Sequence, residues 1–429
     1  MAARPPALTA RVSKVLILSL VFPPDSVSTA EIMGDLALDL RARGHEVAVF
    51  TTVPHYNRDP DAERRQAMRR VWGPLLSKSD YGGVPVYHAA MPAKTPSVIG
   101  RMAGWIGFHA VSTIAGLLLA HKPDVIIVPS PPLSIGASAW ILGALRGAPY
   151  IYNVQEIYPD IAVNLGALKN RHAIRIFKAL ERFVYRKSTA VTVIAPRMRT
   201  RLVEKGVPPA KVHVIPNGVD LERLAPGPRH NDFSSRHGLD DVLAITYAGN
   251  MGPAQGLDIV LDAARLLEAS DTLRFVLIGE GSLRARLASD AAGLPQKNVL
   301  VLPYQPNALM PQIYGASDIS LVPQAAATGS DAIPSKVYRI MASGRPLIAI
   351  TEEDSDLAAL VNAAGCGMVV SPGDARRLAE LVRGAPQCLD EWREMGLRGR
   401  AHVTAHYSRA AVCDMYDALI REVSDARVG

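Results

Sequence analysis

Residues 243–278 read LAITYAGNMGPAQGLDIVLDAARLLEASDTLRFVLI, with two short aliphatic runs on either side of a longer stretch. The runs at 243–247 and 274–278 have the length and aliphatic content of buried strands. The stretch at 257–268 places apolar residues three and four apart, which is the spacing of a helix. The segment therefore predicts a strand–helix–strand unit. Its strands should run parallel, because the helix carries the chain back across the sheet.

The same alternation continues in both directions along the chain. Upstream, aliphatic runs predict strands at 15–20, 46–51, 84–87, 125–128, 150–154, 190–194 and 212–215. Downstream, they predict strands at 299–302, 319–322, 346–350 and 368–370. Stretches of helical period separate most of these runs, so we expect an α/β fold with helices on both faces of parallel sheets.

One stretch interrupts the pattern and suggests a division into domains. Residues 224–241 read LAPGPRHNDFSSRHGLDD and show no apolar period, as expected of a connecting loop. We therefore predict two doubly wound, Rossmann-like domains at 1–222 and 242–400, joined by a linker at 223–241. The last helical stretch, 401–429, is predicted to return to the first domain. In open α/β sheets, ligands bind beyond the carboxyl ends of the strands, so a cleft between the domains should hold the site.

Composition narrows the classes of function. The chain has 429 residues and only 3 cysteines, without a CxxC pair, which argues against a disulfide framework or a zinc site and fits a reducing cytoplasm. The net charge of +7 suits anions such as nucleotide diphosphates or acidic lipids. Lysines and arginines are scattered and no nucleic-acid-binding motif is present, so we expect no nucleic-acid partner.

Two apolar segments could be mistaken for membrane or export signals. Residues 15–22 follow basic residues but run into Pro23 and Pro24, and we interpret them as the first strand. Residues 97–120 are interrupted by Arg101 and several glycines, which favours a long, mostly buried helix over a membrane span. A peripheral contact with a membrane stays open, and the predicted location is the cytoplasm, at the inner face of the plasma membrane.

The loops after the strands of the second half contain the candidate donor site. In YAGNMGPAQ at 247–255, Gly249 and Gly252 would let backbone amides approach an anion at a helix N-terminus, and Asn250 and Gln255 would add neutral donors. A common strand–turn–helix junction explains this loop equally well. In IGEGS at 278–282, a nucleotide edge could lie against two residues, Gly279 and Glu280; the alternative is a tight turn in which Ser282 caps the following helix.

Residues 325–344, AAATGSDAIPSKVYRIMASG, are the most informative of these loops. Pro334 and Ser335 are typical of a helix start, and Lys336 falls in the first turn. A cation there opposes the helix dipole by roughly 0.3–1 kcal/mol. Its presence is explained if an anion, such as a diphosphate, lies between it and the helix amides. An exposed surface lysine is the alternative. The flexible part of the loop adds three further candidates, Gly329, Ser330 and Asp331.

The first half contributes two loops. VFPPDSVST at 21–29 has no glycine, which counts against NAD or FAD binding, and its polar residues could form a wall of the cleft or cap the following helix. Its candidates on the acceptor side are Pro24, Asp25, Ser26 and Ser28. In YNVQEIYPDIAVNLG at 152–166, Glu156 could orient or deprotonate an acceptor hydroxyl. Asp160 could assist on the acceptor side or simply cap a helix.

Metal ligands are not expected. Asp354-Ser355-Asp356 has the DxD pattern of metal-dependent glycosyl transfer, but the tripeptide leads into a helix, where N-capping explains it better. We found no P-loop, HExxH or GxSxG motif, and no bound cofactor is predicted.

Taken together, the segments resemble the GT-B glycosyltransferases of family 4, and most closely bacterial transferases of cell-surface polysaccharides of the colanic acid or amino-sugar kind. The similarity rests on FPPD, RGHEV at 43–47, VQEIYPDIAVNLG at 154–166, VIPNGVD at 214–220 and IPSKVYRIMASGRPLIA at 333–349. It implies a retaining, metal-independent transfer from a UDP- or GDP-sugar to a saccharide or polyprenyl-linked acceptor.

The resemblance also implies roles for individual residues. Lys336, Asp331 and Glu156 would be catalytic, with Lys336 beside the diphosphate and Asp331 facing the donor sugar. The family's glutamate pair, separated by seven residues, is replaced here by Asp331 and Arg339, and its usual arginine and lysine by Asn250 and Gln255. These departures put the donor in doubt. The implied donor-binding residues are Gly249, Asn250, Gly252, Gln255, Gly279, Glu280, Gly329, Ser330, Pro334, Ser335 and Arg339.

Two alternatives remain at this stage. A fold does not fix a reaction, so a sugar-nucleotide epimerase or a phosphorylase on the same fold is the second enzyme class. The altered glutamate pair also admits a protein that binds a nucleotide sugar without turnover.

Overall fold

The computed structural model describes residues 12–25, 27–55, 59–91, 98–119, 122–164, 166, 168–267, 272–326 and 333–425, with the backbone alone at 98–103. The strands of the described chain are β1 (Lys14–Leu18), β2 (Glu46–Thr52), β3 (Arg69–Trp72), β4 (Leu76–Tyr81), β5 (Val84–Ala89), β6 (Val125–Ser130), β7 (Tyr150–Val154), β8 (Ala190–Val193), β9 (Val212–Val214), β10 (Leu243–Ala248), β11 (Leu273–Ile278), β12 (Val299–Leu302), β13 (Ile319–Pro323), β14 (Leu347–Ile350) and β15 (Gly367–Val370).

Helices connect most of these strands. In chain order they are α1 (Ser28–Ala42), α2 (Pro60–Arg65), α3 (Val98–Leu119), α4 (Ile135–Arg146), α5 (Asp160–Asn164), α6 (Arg171–Lys187), α7 (Pro196–Glu204), α8 (Asp232–Arg236), α9 (Asp258–Leu266), α10 (Arg284–Ala292), α11 (Met310–Gly315), α12 (Lys336–Ala342), α13 (Asp356–Ala364), α14 (Ala375–Gly384), α15 (Leu389–His406) and α16 (Arg409–Asp425).

The strands form two separate sheets. The first has the order β3-β4-β5-β2-β1-β6-β7-β8-β9, and the second has the order β12-β11-β10-β13-β14-β15. The described pairs of the second sheet are all parallel. In the first sheet, β1 lies between β2 and β6, with Ile17 opposite both Val49 and Ile127. The structure confirms the predicted α/β class, with two doubly wound sheets.

An antiparallel edge of the first sheet was not predicted. Strand β4 pairs in antiparallel fashion with β3 on one side and with β5 on the other. Their segment, RRVWGPLLSKSDY at 69–81, has no aliphatic run, because an edge hairpin buries little of either face and can keep charged side chains in water.

The predicted linker is only partly a loop. Asn231 and Ser234 form a reciprocal capping box that starts α8. Phe233 is buried in a hydrophobic cluster with Val276 and Ile278 of the second sheet. The second half of the predicted linker at 223–241 therefore contains a short helix, which the sequence did not reveal because five residues show too little apolar period.

The last helix, α16, packs against the first domain. Tyr416, Ile420 and Val423 of α16 are buried in one cluster with Met33 and Leu40 of α1. Over the part of the chain that the structure describes, no helix is both long enough and apolar enough to cross a membrane.

Carboxyl-end loops of the two sheets meet in a crevice. Ser28, at the start of α1 after β1, lies with its hydroxyl oxygen 3.4 Å from that of Ser335, which follows β13. Arg197, after β8, donates from its guanidinium to Asp354, after β14, at 2.6 Å. The crevice is therefore lined by the loops in which ligands of such sheets bind.

Candidate active site

Lys336 lies on the second-sheet side of the crevice, at the first position of α12. Its ammonium nitrogen is 3.9 Å from the ring centroid of Tyr247, in cation–π geometry. A Cβ atom at Gly249 would lie 2.6 Å from the same nitrogen, so the side chain occupies space that only glycine leaves open. Burial lowers the pKa of Lys336 to about 7, because the charged form loses hydration. The sequence placed this lysine beside the first glycine turn, and the structure brings the two together.

The turns after β10 and β11 pack directly on each other. The amide of Gly249 donates to the carbonyl of Ile278 at 2.9 Å, and the amide of Met251 donates to the carbonyl of Glu280 at 2.7 Å. A Cβ at Gly279 would lie 1.8 Å from the carbonyl oxygen of Gly249, a distance that no side chain tolerates. Glycine is therefore required at 279 for the close approach of two backbones. The two predicted turns form one continuous surface.

We expected the backbone amides of the first turn to be free to bind an anion. The amides of Gly249 and Gly252 are instead already used within the protein. Gly249 donates within the sheet, and the amide of Gly252 donates to the side-chain oxygen of Gln255 at 3.1 Å. The turn also leads into a 3₁₀ turn at Pro253–Gln255, and α9 begins only at Asp258. Asn250 is exposed at the tip of the turn. The part of these residues in donor binding stays a prediction, through side chains rather than the two glycine amides.

Glu280 has a structural partner. Its carboxylate accepts from the guanidinium of Arg284 at 2.9 Å, four residues along the chain, and both side chains are exposed. This pairing explains the position of the Glu280 carboxylate, and the nucleotide contact of Glu280 stays a prediction.

The first turn of α1 meets α12 through a carboxylate. The guanidinium of Arg339 donates to Glu31 at 2.6 Å, and the amide of Asn307 donates to the other oxygen of the same carboxylate. The Glu31 and Arg339 side chains are both about three-quarters buried. Arg339 was predicted to bind the donor. In this structure its charge is instead balanced by the first sheet's α1, one helical turn from Lys336.

Glu156 follows β7 at the first-sheet side of the crevice and is exposed. Burial of its surroundings raises the pKa of Glu156, since nearby protein displaces part of the water that would hydrate the carboxylate. The neighbouring Gln155 is buried and exchanges two hydrogen bonds with Asn217, at 3.2 and 2.9 Å. The side chain of Gln155 also donates to Asn153 at 2.7 Å. This amide network fixes the backbone on which Glu156 is carried.

Asp160 belongs to a structural ion pair. The ammonium group of Lys205 lies 2.7 Å from Asp160 and 2.6 Å from Glu181, whose side chain is buried in α6. Asp160 lies at the first position of α5, and its carboxylate shares Lys205 with the buried carboxylate of Glu181. The prediction of an acceptor-side role for Asp160 is therefore not supported by its surroundings.

The loop after β1 lines a cavity of about 420 Å³ in the first domain. Pro24 and Asp25 contribute to its wall, together with Glu31, Asp35 and Tyr81. The carboxylate of Asp25 is buried and accepts from the backbone amide of His55 at 3.1 Å. Burial raises the pKa of Asp35 to about 6, although the Arg409 guanidinium lies 3.1 Å away and acts in the opposite direction. The cavity thus combines carboxylates with an aromatic hydroxyl beside the crevice.

The remaining predicted residues divide into two groups. Pro334 and Ser335 are half-buried before α12, and Ser335 takes the N-cap position without a side-chain capping bond. Four candidates, Ser26, Gly329, Ser330 and Asp331, lie outside the described residues.

The DxD tripeptide is explained by packing between the domains. Ser355 caps α13 by accepting from the amide of Ala358 at 3.0 Å. Asp354 pairs with Arg197, whose hydrogen bond lowers the pKa of that carboxyl, and Asp356 accepts from the backbone amide of Arg197 at 2.8 Å. Across the described ranges, no three His, Cys, Asp or Glu side chains are grouped so that they could hold a metal ion.

Sequence reasoning missed three side chains of the crevice. Glu31 and Asp35 both line the cavity, and their separation of four residues on a helix puts them on one face. That spacing was visible in the sequence, but Glu31 was interpreted only as a partner of the helix dipole. No sequence pattern marked Asn307 as a residue of the crevice, because it lies in a short irregular loop after a strand.

Two doubly wound domains that meet along the carboxyl edges of their sheets define the GT-B class. Two family models match the chain: the Glycosyl transferase 4-like domain over residues 29–218 and Glycosyl transferases group 1 over residues 243–385. Together they span well over half of the sequence. The chain belongs to the GT-B glycosyltransferases of family 4, and it is a glycosyltransferase.

Individual proteins agree with this assignment. WcaI of Escherichia coli K12, named as a glycosyl transferase of colanic acid biosynthesis, is 28% identical over 382 residues, which cover 87% of this chain and 92% of WcaI. Sucrose-phosphate synthase from Thermosynechococcus elongatus superposes with a TM-score of 0.75 at 17% identity, over 96% of this chain and 100% of that one. Anabaena HepE, solved with UDP-glucose, superposes with a TM-score of 0.70 at 16% identity, over 96% and 100% of the two chains.

Proposed function

We propose that the chain transfers a sugar from a nucleotide diphosphate sugar to a saccharide or polyprenyl-linked acceptor during cell-surface polysaccharide biosynthesis. The similarity to WcaI along almost its whole length supports the pathway class, since that relative is named for colanic acid biosynthesis. HepE, of the same fold, is solved with UDP-glucose, which supports a nucleotide diphosphate sugar as the donor class.

The observation that carries the proposal is the setting of Lys336. Its ammonium group is half-buried over Tyr247 and beside Gly249, and among the described residues no carboxylate pairs with it. A cation held out of water in this way is costly unless an anion comes to it. A diphosphate in the crevice would supply that anion, and Lys336 would balance the charge that grows as the diphosphate leaves.

We further propose that this transfer is retaining and needs no metal ion. The bond from the sugar's anomeric carbon to the diphosphate breaks, and a bond from the acceptor oxygen forms on the same face of the sugar. The proton of the acceptor hydroxyl passes to Glu156 or to the departing diphosphate. In this proposal Lys336 takes the place that a divalent cation has in metal-dependent transfer. Glu156 and the carboxylate-lined cavity lie on the opposite side, where the acceptor hydroxyls would be oriented.

A binding screen tests which nucleotide sugar is the donor and whether its binding needs a metal ion. Thermal unfolding is measured with UDP, GDP, ADP and their common sugars, each with EDTA and with Mn²⁺ or Mg²⁺. We expect one nucleotide and its sugars to raise Tm equally with and without metal. At a ligand concentration of 100 times Kd, the gain in stability is about 2.7 kcal/mol. A shift that needs a metal, or no shift with any nucleotide, would refute the proposal.

Glu156→Gln tests the acceptor side. The neutral amide cannot orient or deprotonate a hydroxyl as a carboxylate does, so we expect kcat to fall at least about a hundredfold while nucleotide affinity is unchanged. The matched control is Asp160→Asn, which breaks a structural ion pair and should lower Tm more than kcat. Full activity of the Glu156 variant would assign that residue a structural role.

A further inference from the structure

Large aliphatic side chains are exposed in a row along α3. Ile106, Ile114 and Leu118 have 66%, 52% and 68% of their surface open to solvent, and they are spaced by eight and four residues, on one face of the helix. On α4, Ile141 and Leu145 are 42% and 65% exposed and again four residues apart. Single exposed aliphatic residues are ordinary, but two parallel rows on neighbouring helices form a patch.

The two rows face the same way. Helices α3 and α4 lie side by side: a Cβ at Gly116 would lie 2.9 Å from the Leu142 side chain, and Arg146 donates to the carbonyl of Leu117. Both helices bury their other faces in one cluster against the first sheet, through Phe108 on α3 and Leu142 on α4. The exposed rows therefore point away from the sheet, into solvent.

The histidine of α3 does not interrupt this patch. His109 lies between the two helices, with its ring nitrogens 2.8 and 2.9 Å from the hydroxyls of Ser134 and Ser138. Burial lowers the pKa of His109 to about 4, so the ring is neutral at physiological pH.

A row of basic residues borders the patch on α6. Helix α6 packs on α4, with Phe183 edge-on to Trp140 and Lys187 over the Trp140 ring. It buries Val184 and Tyr185 against the sheet. Its exposed side carries Ile176 and five basic side chains at steps of three or four residues, namely Arg171, Arg175, Lys178, Arg182 and Arg186.

Charge is strongly biased over these three helices. In sequence, α3, α4 and α6 contain eight lysines and arginines and a single acidic residue, Glu181, which is buried and paired with Lys205. The excess of basic over acidic residues in these three helices is therefore seven, which equals the formal net charge of +7 of the whole chain. An aliphatic patch beside a row of cations, without an exposed acid on the three helices, has the chemistry of a surface that lies on anionic lipid.

We infer that the outer face of α3, α4 and α6 docks on the surface of a bilayer containing anionic lipid. The aliphatic rows would enter the headgroup region, and the basic row of α6 would lie over lipid phosphates. In parallel β–α units, helices begin at the carboxyl edge of the sheet, so the N-termini of α3 and α6 lie at the crevice side of this face. This docking goes beyond the proposed transfer and does not depend on it.

Vesicle flotation of the full chain tests this inference. Vesicles of phosphatidylglycerol and phosphatidylethanolamine are compared with vesicles of phosphatidylcholine, at low and at high salt. We expect binding to the anionic vesicles that weakens as salt screens the charges. Two variants should each lower the partition coefficient at least about tenfold: Ile114→Ser with Leu118→Ser, and Lys178→Glu with Arg182→Glu.

Matched variants on the second domain are the controls. Leu397→Ser removes an exposed leucine of α15, and Arg376→Glu with Arg377→Glu reverses two exposed charges of α14. Both should float like the parent chain. Nucleotide-induced thermal shifts should be the same in every variant, which separates failure of docking from failure of the proposed function. Equal binding by patch and control variants, no flotation at all, or a dimer that the α3 substitutions dissociate would overturn the inference.

Discussion

Lys336 is the residue whose environment departs furthest from that of an ordinary lysine. The pKa of an ordinary, hydrated lysine is near 10.5, whereas burial lowers the pKa of Lys336 to about 7. At pH 8 the free protein should therefore hold much of this side chain neutral. A bound diphosphate favours the charged form and should raise the pKa again.

This difference predicts proton uptake on binding. A nucleotide sugar has no group that titrates between pH 7 and 9, so a proton taken up at pH 8 is assigned to the protein. We expect calorimetry in buffers of different ionisation enthalpy to show uptake approaching one proton, and affinity to fall as pH rises from 7 to 9. Lys336→Met should abolish the uptake and weaken binding about tenfold or more, in line with loss of a charge-assisted contact.

Lys78→Met is the matched control for this experiment. Lys78 also lies over a tyrosine, with its nitrogen 5.2 Å from the ring centroid of Tyr87, but on the edge hairpin of the first sheet. Its removal should change neither proton uptake nor affinity. Proton uptake that persists in the Lys336 variant would place the titrating group elsewhere.

At the scale of elements, the contact between α1 and α12 shows why the site could be only partly predicted. The sequence placed Ser28, Ser335 and Lys336 near helix starts after strands, and that local placement is correct. It did not indicate that Arg339 would meet Glu31, which lies 308 positions away. Ion pairs between residues so far apart depend on how the two domains face each other, and a local sequence pattern does not predict that arrangement.

The α1–α12 contact also predicts energetic coupling. Glu31→Gln and Arg339→Met should each raise the donor KM, because each leaves a largely buried charge beside the crevice without its partner. In a double-mutant cycle, the second substitution should add little, with a coupling of roughly 1–3 kcal/mol.

The pair Arg197 and Asp354 provides the comparison. It also spans the two domains, but Asp354 is 76% exposed, so solvent should screen the interaction. The cycle of Arg197→Met with Asp354→Asn should show coupling near zero. Additive effects of Glu31 and Arg339 would mean that their contact does not contribute to the donor-bound state.

For the whole molecule, Arg409 ties the C-terminal helix to the first domain. Its guanidinium lies 3.1 Å from Asp35, 2.7 Å from Asp39 and 3.3 Å from Asp220. These carboxylates come from α1 and from the loop that leads out of the first sheet. Their combined field raises the pKa of Arg409 in spite of burial, so the cation is held firmly.

Removing this cation should destabilise the fold in a pH-dependent way. Arg409→Met leaves three carboxylates close together, and we expect Tm to fall by several degrees at pH 8. Since burial raises the pKa of Asp35 to about 6, that carboxyl is mostly protonated at pH 5, and the repulsion is then smaller. The loss of Tm should therefore be largest at high pH and decrease as pH falls below 6.

Arg421→Met is the control for Arg409. It lies on the same helix but pairs with Asp417 of its own helix, four residues earlier, at 2.9 Å. Its removal should cost less than that of Arg409, because it leaves one carboxylate rather than three without a cation, and His45 still lies 2.8 Å from Asp417. Equal losses in the two variants, or an Arg409 loss that does not change with pH, would contradict the assigned role.

The sequence by itself determined the α/β class, nearly every buried strand and the loops that line the crevice. It could do so because buried parallel strands need aliphatic runs, and because turns and helix starts restrict which residues fit. Only the tertiary structure decided which loops face each other, that the amides of Gly249 and Gly252 are used within the protein, and that Glu31 balances Arg339. Those facts depend on contacts between residues far apart in the chain, where packing rather than local propensity chooses the partner.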